Sequence, residues 1–106
     1  MDDLADACVV LMEADTVPWK IVNVGCGEDV TIAELAQLIG EVVGYQGRIV
    51  HDESFPDGTP QKLLDVTRMR QLGWQPRISL HAGIEQTYRD YVLQLSSRPD
   101  QPAARC

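Results

Sequence analysis

The sequence predicts an α/β domain in which short strands are interspersed among three main helices. Three segments have the apolar content or spacing of packed helices and follow residues suited to capping, at 4–14, 32–43 and 80–95. Three short runs of β-branched or apolar residues lie between them, at 20–24, 48–52 and 63–65, and are typical of strands. A chain of 106 residues accommodates one such domain.

The first helix is predicted from Leu4 to about Ala14, with Asp2 or Asp3 as its cap. Residues 7–12 are apolar on every face, so this helix requires cover on more than one side. We expect that cover to come from a second subunit or from the rest of a longer polypeptide.

The later helices carry clearer boundary signals. Thr31 and Glu34 form a capping-box pattern, and Gly44 is placed to end that helix in the left-handed conformation. Thr67 is predicted to cap a short helix that stops at Gly73 with Trp74 packed behind it. Ser79 is predicted to cap the last helix, whose apolar stripe consists of Leu80, Ile84, Tyr88, Tyr91, Val92 and Leu95.

Composition excludes several function classes. Nine basic against 16 acidic residues give a net charge of −7, which argues against nucleic acid or an anionic membrane as a partner. No apolar run reaches the ~18 residues of a membrane span. Three widely spaced cysteines form neither a disulfide framework nor a metal-site pattern, so we expect reduced thiols in a cytoplasmic protein.

The stretch 55–65 breaks both helical and strand periodicity. Two prolines remove backbone donors, and Pro56, Asp57 and Gly58 have strong turn chemistry. Lys62 follows, so an ordered loop presents one carboxylate and one ammonium a few residues apart. Such a loop can grip a small anionic ligand or be an ordinary surface connection, and spacing alone favours the second interpretation.

Two other patterns are open to a functional interpretation. Gly25 and Gly27 follow a predicted strand, as in phosphate-binding turns, but a third glycine is missing and two acids follow, which favours a plain tight turn. His51 and Asp52 resemble an acid–base pair, but neighbours in a strand point to opposite faces, which favours a polar strand end.

Several motifs together resemble one family. Residues 23–28, the helix start at 31–36, residues 72–76 and residues 79–84 resemble the C-terminal part of extended short-chain dehydrogenase/reductases that act on nucleotide sugars. The loop 56–66 narrows the resemblance to the GDP-L-fucose synthase family. The resemblance covers residues 2 to about 95, nearly the whole chain.

The resemblance implies a specific fold and role. Members are homodimeric, NADP-dependent enzymes that perform 3,5-epimerisation and 4-reduction of GDP-4-keto-6-deoxymannose, and their small C-terminal domain closes over the GDP-sugar. Residues 1–95 would be that substrate-binding domain, lacking the Rossmann domain, and residues 96–106 a flexible tail. Asp57 would hydrogen-bond the GDP-sugar and Lys62 would face its pyrophosphate, whereas Gln61 stands where the family more often has arginine.

The family's catalytic motifs are missing from this sequence. No Tyr-x-x-x-Lys motif and no Gly-x-x-Gly-x-x-Gly motif occurs in it, so we expect no NADP site and no catalysis by this chain alone. Whether this is a shortened gene product or a fragment stays open. The alternative is a self-associating interaction protein without nucleotide binding, in which the helix 4–14 forms the interface through Val9, Val10 and Met12.

Overall fold

The computed structural model describes residues 1–97 and contains helices joined by long irregular segments. The helices are α1 (Asp2–Glu13), α2 (Ile32–Val43), α3 (Thr67–Gln71) and α4 (Leu80–Ser96). The three predicted main helices and the short one are therefore present. No strand occurs in residues 1–97, so the strands predicted at 20–24, 48–52 and 63–65 are wrong.

The missing strands have a physical explanation. A strand exists only when a second backbone pairs with it, and a β-branched composition indicates suitability for pairing without supplying that partner. The carbonyl of Ile21 instead accepts a hydrogen bond from the side chain of Arg68. Every residue from 45 to 65 is exposed, so two of the three runs also lack a packed face.

The caps of α2 and α4 confirm the sequence prediction. The Glu34 N–H donates to Thr31 Oγ1 at 3.1 Å, and the Thr31 N–H donates to Glu34 Oε2 at 2.8 Å. Gly44 ends α2 with a φ of 72°, in the left-handed region that glycine tolerates. Ser79 Oγ accepts from the Ala82 N–H at 3.2 Å.

The caps predicted for α1 and α3 are wrong. The N-cap of α1 is Met1, and neither Asp2 nor Asp3 caps the helix. The carboxylate of Asp3 instead accepts from the backbone N–H groups of Arg77 and Ile78, at 3.1 and 2.9 Å. Thr67 is the first residue of α3 rather than its cap.

The core lies where α1 meets α3 and the residues that follow α3. Ala7, Met69 and Trp74 are buried together, and partly buried apolar residues surround them: Val10, Leu11, Val22, Val24 and Leu72. Gly73 has a φ of 82° and turns the chain so that Trp74 reaches this cluster, as predicted. The indole N–H of Trp74 donates to Asp6 Oδ2 at 3.0 Å, so its polar atom is satisfied.

Much of the remaining surface is open. The radius of gyration is 18.0 Å, against about 13 Å for a compact chain of this length. The accessible surface is 9517 Å², against about 5,900 Å² for a compact monomer of this mass. The predicted stripe of α4 contributes to this excess, because Leu80, Tyr91 and Leu95 are each about half exposed.

The last helix ends close to its predicted end at about Leu95. Helix α4 ends at Ser96, and the remaining residues of the predicted tail, 98–106, lie outside the described residues. No helix in residues 1–97 combines the length and apolarity that crossing a membrane requires.

Candidate functional site

The candidate site is the exposed connection between α2 and α3, and we name residues 53–65 the proline loop. Its two prolines lie in the middle of an irregular segment, and each of its residues is exposed. Nothing in the packed core covers it. The loop is therefore accessible to a ligand along its whole length.

Asp57 and Lys62, the two predicted site residues, both lie on this loop with exposed side chains. Within residues 1–97 neither side chain has a hydrogen-bond or ion-pair partner. An ammonium and a carboxylate without partners retain their full capacity for a ligand: three donors on Lys62 and an acceptor-only group on Asp57. Their role in ligand binding stays a prediction.

The C-terminal end of the proline loop is fixed. Asp65 Oδ1 accepts from the Thr67 N–H at 2.9 Å and also from the Thr67 hydroxyl. These hydrogen bonds, together with the nearby positive charge of Arg68, hold the pKa of Asp65 below its usual value. The next residue, Val66, is buried, so the loop ends where the packed structure begins.

A second contact ties α3 to the segment before α2, and we name residues 19–27 the support segment. The guanidinium of Arg68 donates from Nη1 to the carbonyl oxygen of Ile21 at 2.6 Å. Its Cζ lies 5.4 Å from the ring centre of Trp19, within the range of a cation–π contact. The sequence does not predict these contacts of Arg68 and Trp19, because the contacting residues are distant in sequence.

The glycine turn is part of the same arrangement. Gly27 has a φ of 78°, and a Cβ added there would lie 3.1 Å from Val66 Cγ2 and 3.0 Å from Arg70 Nη2. A Cβ added at Gly25 would lie 3.4 Å from Val66 Cγ1. Both glycines thus let the support segment approach the start of α3 closely, which favours the tight-turn interpretation over a phosphate cradle.

The other candidate pairs and clusters do not form sites. Asp52 Oδ1 accepts from the Ser54 N–H at 2.9 Å. The hydroxyl and N–H of Ser54 lower the pKa of Asp52, and His51 is not its partner. In residues 1–97 no group of His, Cys, Asp and Glu side chains is arranged to hold a metal ion.

An apolar groove lies away from the proline loop. A groove of about 840 Å³ runs between α2 and α4 and reaches the first residues of α1. Its lining is mainly apolar and includes Ile39, Val43, Ile84 and Tyr88. Neither Asp57 nor Lys62 lines it, so the predicted binding residues and the groove are separate features.

Comparison with known proteins identifies the relatives of this chain, although no family model matches it. The GDP-L-fucose synthase of Escherichia coli K12 is 53% identical over 100 residues, which cover 87% of this chain and 31% of the relative. GDP-L-fucose synthase 1 of Arabidopsis thaliana is 47% identical over 98 residues, which cover 92% of this chain and 30% of the relative. The matched region is the C-terminal part of these enzymes.

This chain is homologous to the C-terminal part of GDP-L-fucose synthases. The resemblance drawn from the motifs is therefore confirmed. The chain spans less than a third of the length of the GDP-L-fucose synthases that it matches. A solved structure named DdhaC has the same fold over 91% of this chain and 29% of its own, with a TM-score of 0.70 and 31% sequence identity.

Proposed function

We propose that this chain is a GDP-sugar-binding part of a GDP-L-fucose synthase and that its proline loop contacts the nucleotide sugar. The observation that carries the proposal is the homology, at 47% and 53% identity to two GDP-L-fucose synthases, over a region that includes an exposed loop. The pair Asp57 and Lys62 supplies the chemistry on that loop. The ligand class follows from what the relatives act on, a GDP-linked sugar.

Each of the two side chains suits a different part of such a ligand. The ammonium of Lys62 is a compact point charge that pairs with a pyrophosphate. The carboxylate of Asp57 accepts hydrogen bonds, which the guanine N–H groups and the sugar hydroxyls can donate. Both side chains are surrounded by water, where two unit charges 4 Å apart gain only about 1 kcal/mol. We therefore expect affinity in the millimolar range for this chain alone.

The proposal assigns binding rather than catalysis to this chain. Reduction requires a hydride donor, and proton transfer requires a positioned acid or base. The sequence contains no Tyr-x-x-x-Lys motif, and we propose that the nicotinamide cofactor and the proton relay belong to another part of a complete synthase. The chain's own contribution is to orient the GDP-sugar through the proline loop.

An amide NMR titration of the 106-residue chain with GDP tests this function. We expect shifts centred on residues 57–65, with smaller shifts when UDP replaces GDP. Asp57→Ala and Lys62→Gln should each weaken them, whereas Arg89→Gln, which removes an exposed charge on α4, should leave them unchanged. A well-folded spectrum that does not respond to millimolar GDP would refute nucleotide binding.

A second candidate function is self-association through α1, and the exposure of that helix favours it. Three apolar side chains of α1 are open to water: Leu4, Val9 and Met12 are 43%, 49% and 84% exposed. Val10 packs against the core cluster, so we propose an interface of Leu4, Val9 and Met12 without Val10. An apolar helix face of this kind usually marks an interaction site.

Sedimentation equilibrium tests the second candidate. Self-association predicts a mass above 11.8 kDa that rises with concentration. Met12→Lys should return the chain to a monomer, whereas Gln37→Lys, at an exposed position of α2, should not. A wild-type chain that stays monomeric at millimolar concentration would rule out the interface.

A further inference from the structure

We propose that Asp65 and Arg68 are positioning residues that fix the Lys62 end of the proline loop on the support segment and thereby set the affinity for a nucleoside diphosphate. Neither residue is assigned a contact with the ligand. The inference rests on the proposed function, which it deepens by naming what holds the binding loop in place.

Burial does not hold Lys62 in place, because every residue of the proline loop is exposed. Lys62 precedes Asp65 by three residues, and three residues of chain span at most about 11 Å. The position of Asp65 therefore limits where the backbone of Lys62 can lie.

Asp65 holds the end of the proline loop by hydrogen bonds to Thr67. Its carboxylate accepts from both the N–H and the hydroxyl of Thr67, which joins the end of the loop to the first residue of α3. Two donors from one residue restrict the side-chain rotamers of Asp65. The direction in which the loop leaves α3 is fixed by this contact.

Helix α3 is itself attached to the support segment through Arg68. Arg68 reaches across 47 positions of sequence to the carbonyl oxygen of Ile21, at 2.6 Å, and its guanidinium lies over the ring of Trp19. A hydrogen bond from a charged donor is stronger than a neutral one. The close approach of Gly25 to Val66 completes the contact between the support segment and the end of the loop.

These contacts affect binding through entropy. An ammonium on a free loop loses backbone and side-chain freedom when it meets a phosphate, and that loss weakens binding. A loop whose end is already fixed has less freedom to lose. Removing the net contribution of one hydrogen bond from this support should weaken binding about fivefold.

A ligand-free measurement tests the support directly. We expect the ¹⁵N heteronuclear NOEs of residues 61–65 to fall in Arg68→Met, which keeps the aliphatic stem, and in Asp65→Ala. Arg89→Met on α4 is the matched control and should leave these NOEs at the wild-type value. Thr67→Val, which removes only the hydroxyl donor, should give a smaller decrease and covers the case in which Asp65→Ala fails to fold. NOEs that do not change in folded variants would overturn the inference.

A GDP titration of the same proteins tests the effect on affinity. The Kd should rise about fivefold in Arg68→Met and stay at the wild-type value in Arg89→Met, under conditions in which both are folded. A residue with only a structural role would lower the unfolding midpoint and leave this Kd unchanged, which would overturn the positioning role. If wild-type chain does not bind GDP, the proposed function and the effect on affinity both fail, and the NOEs alone decide whether the support exists.

Discussion

Trp74 and Asp6 form the one side-chain hydrogen bond between the buried cluster and the surface of α1 in the described part of the chain. The indole ring packs on Ala7 and Met69 and is 6% exposed, while its N–H donates to a carboxylate on the same helix as Ala7. One residue thus provides both apolar burial and a specific direction for α1. Substitutions at Trp74 and at Asp6 should therefore separate these two contributions to stability.

We predict that Trp74→Phe lowers the free energy of unfolding by about 2–3 kcal/mol, because it leaves a cavity and removes the donor. Asp6→Ala should cost about 1 kcal/mol, since only the hydrogen bond is lost. Urea unfolding followed by circular dichroism measures both. Asp90→Ala, at an exposed position of α4, is the control, and a result for Asp6→Ala equal to the control would contradict this role of the hydrogen bond.

The hydrogen bonds to Asp65 predict a pH dependence of the chain's stability. The hydroxyl and N–H of Thr67 and the charge of Arg68 place its folded-state pKa below the usual 3.8. A depressed pKa stabilises the folded chain fully above the unfolded-state pKa, and this stabilisation is lost as the pH falls through the folded-state pKa. We predict that the urea midpoint falls more between about pH 5 and about pH 3 in wild type than in Asp65→Asn. Equal slopes would show that Asp65 contributes nothing to acid stability.

The candidate binding residues and the residues that support them differ in how the sequence reveals them. Asp57 and Lys62 are apparent from the resemblance of the loop to a known family, and their binding role stays a prediction. Arg68 and Trp19 carry no local signal, because the carbonyl oxygen that Arg68 contacts lies 47 positions earlier. Support for a site is a tertiary property, and a single sequence does not display it.

The helices follow local rules, and two glycines of α2 allow those rules to be tested. Gly40 lies inside the helix, where an added Cβ would meet Ile49 Cδ1 at an ordinary 3.8 Å, whereas Gly44 ends the helix at a φ of 72°. We predict that Gly40→Ala stabilises the chain by about 0.5–1 kcal/mol, since alanine is the better helix former. Gly44→Ala should destabilise it by about 1 kcal/mol, because a side chain is strained there. Thermal unfolding of the two variants should give shifts of opposite sign, and shifts of the same sign would refute this account.

The contrast between caps and strands shows which part of the fold the sequence predicts. The caps at Thr31, Gly44 and Ser79 form as predicted, because each depends on residues within one or two turns. The runs at 20–24, 48–52 and 63–65 are not strands in the described residues, because pairing requires a backbone that their own composition does not specify. Asp3 shows that a helix end can also depend on distant residues. Its carboxylate accepts from the N–H groups of Arg77 and Ile78 and does not cap α1.

Over the whole molecule, apolar burial is concentrated where α1 meets α3. The buried apolar residues of the described chain are Ala7, Val66, Met69 and Trp74, and all but Val66 form the cluster that joins α1 to α3. Helix α4 packs on α2, yet each of its residues from 85 to 96 is exposed. Local stability should therefore differ strongly between the cluster that joins α1 to α3 and helix α4.

We predict that, among the helices, amide hydrogen exchange is slow in α1 and at residues 69–74, around α3, and fastest in the second half of α4, at 89–96. A helix whose side chains are open to water has little tertiary packing to oppose local unfolding. Exchange followed by NMR at two protein concentrations measures this gradient. Fast exchange in α4 at both concentrations fits a chain whose α4 face is uncovered. Protection of α4 that increases with concentration would contradict the prediction and show that a second copy of the chain covers that face.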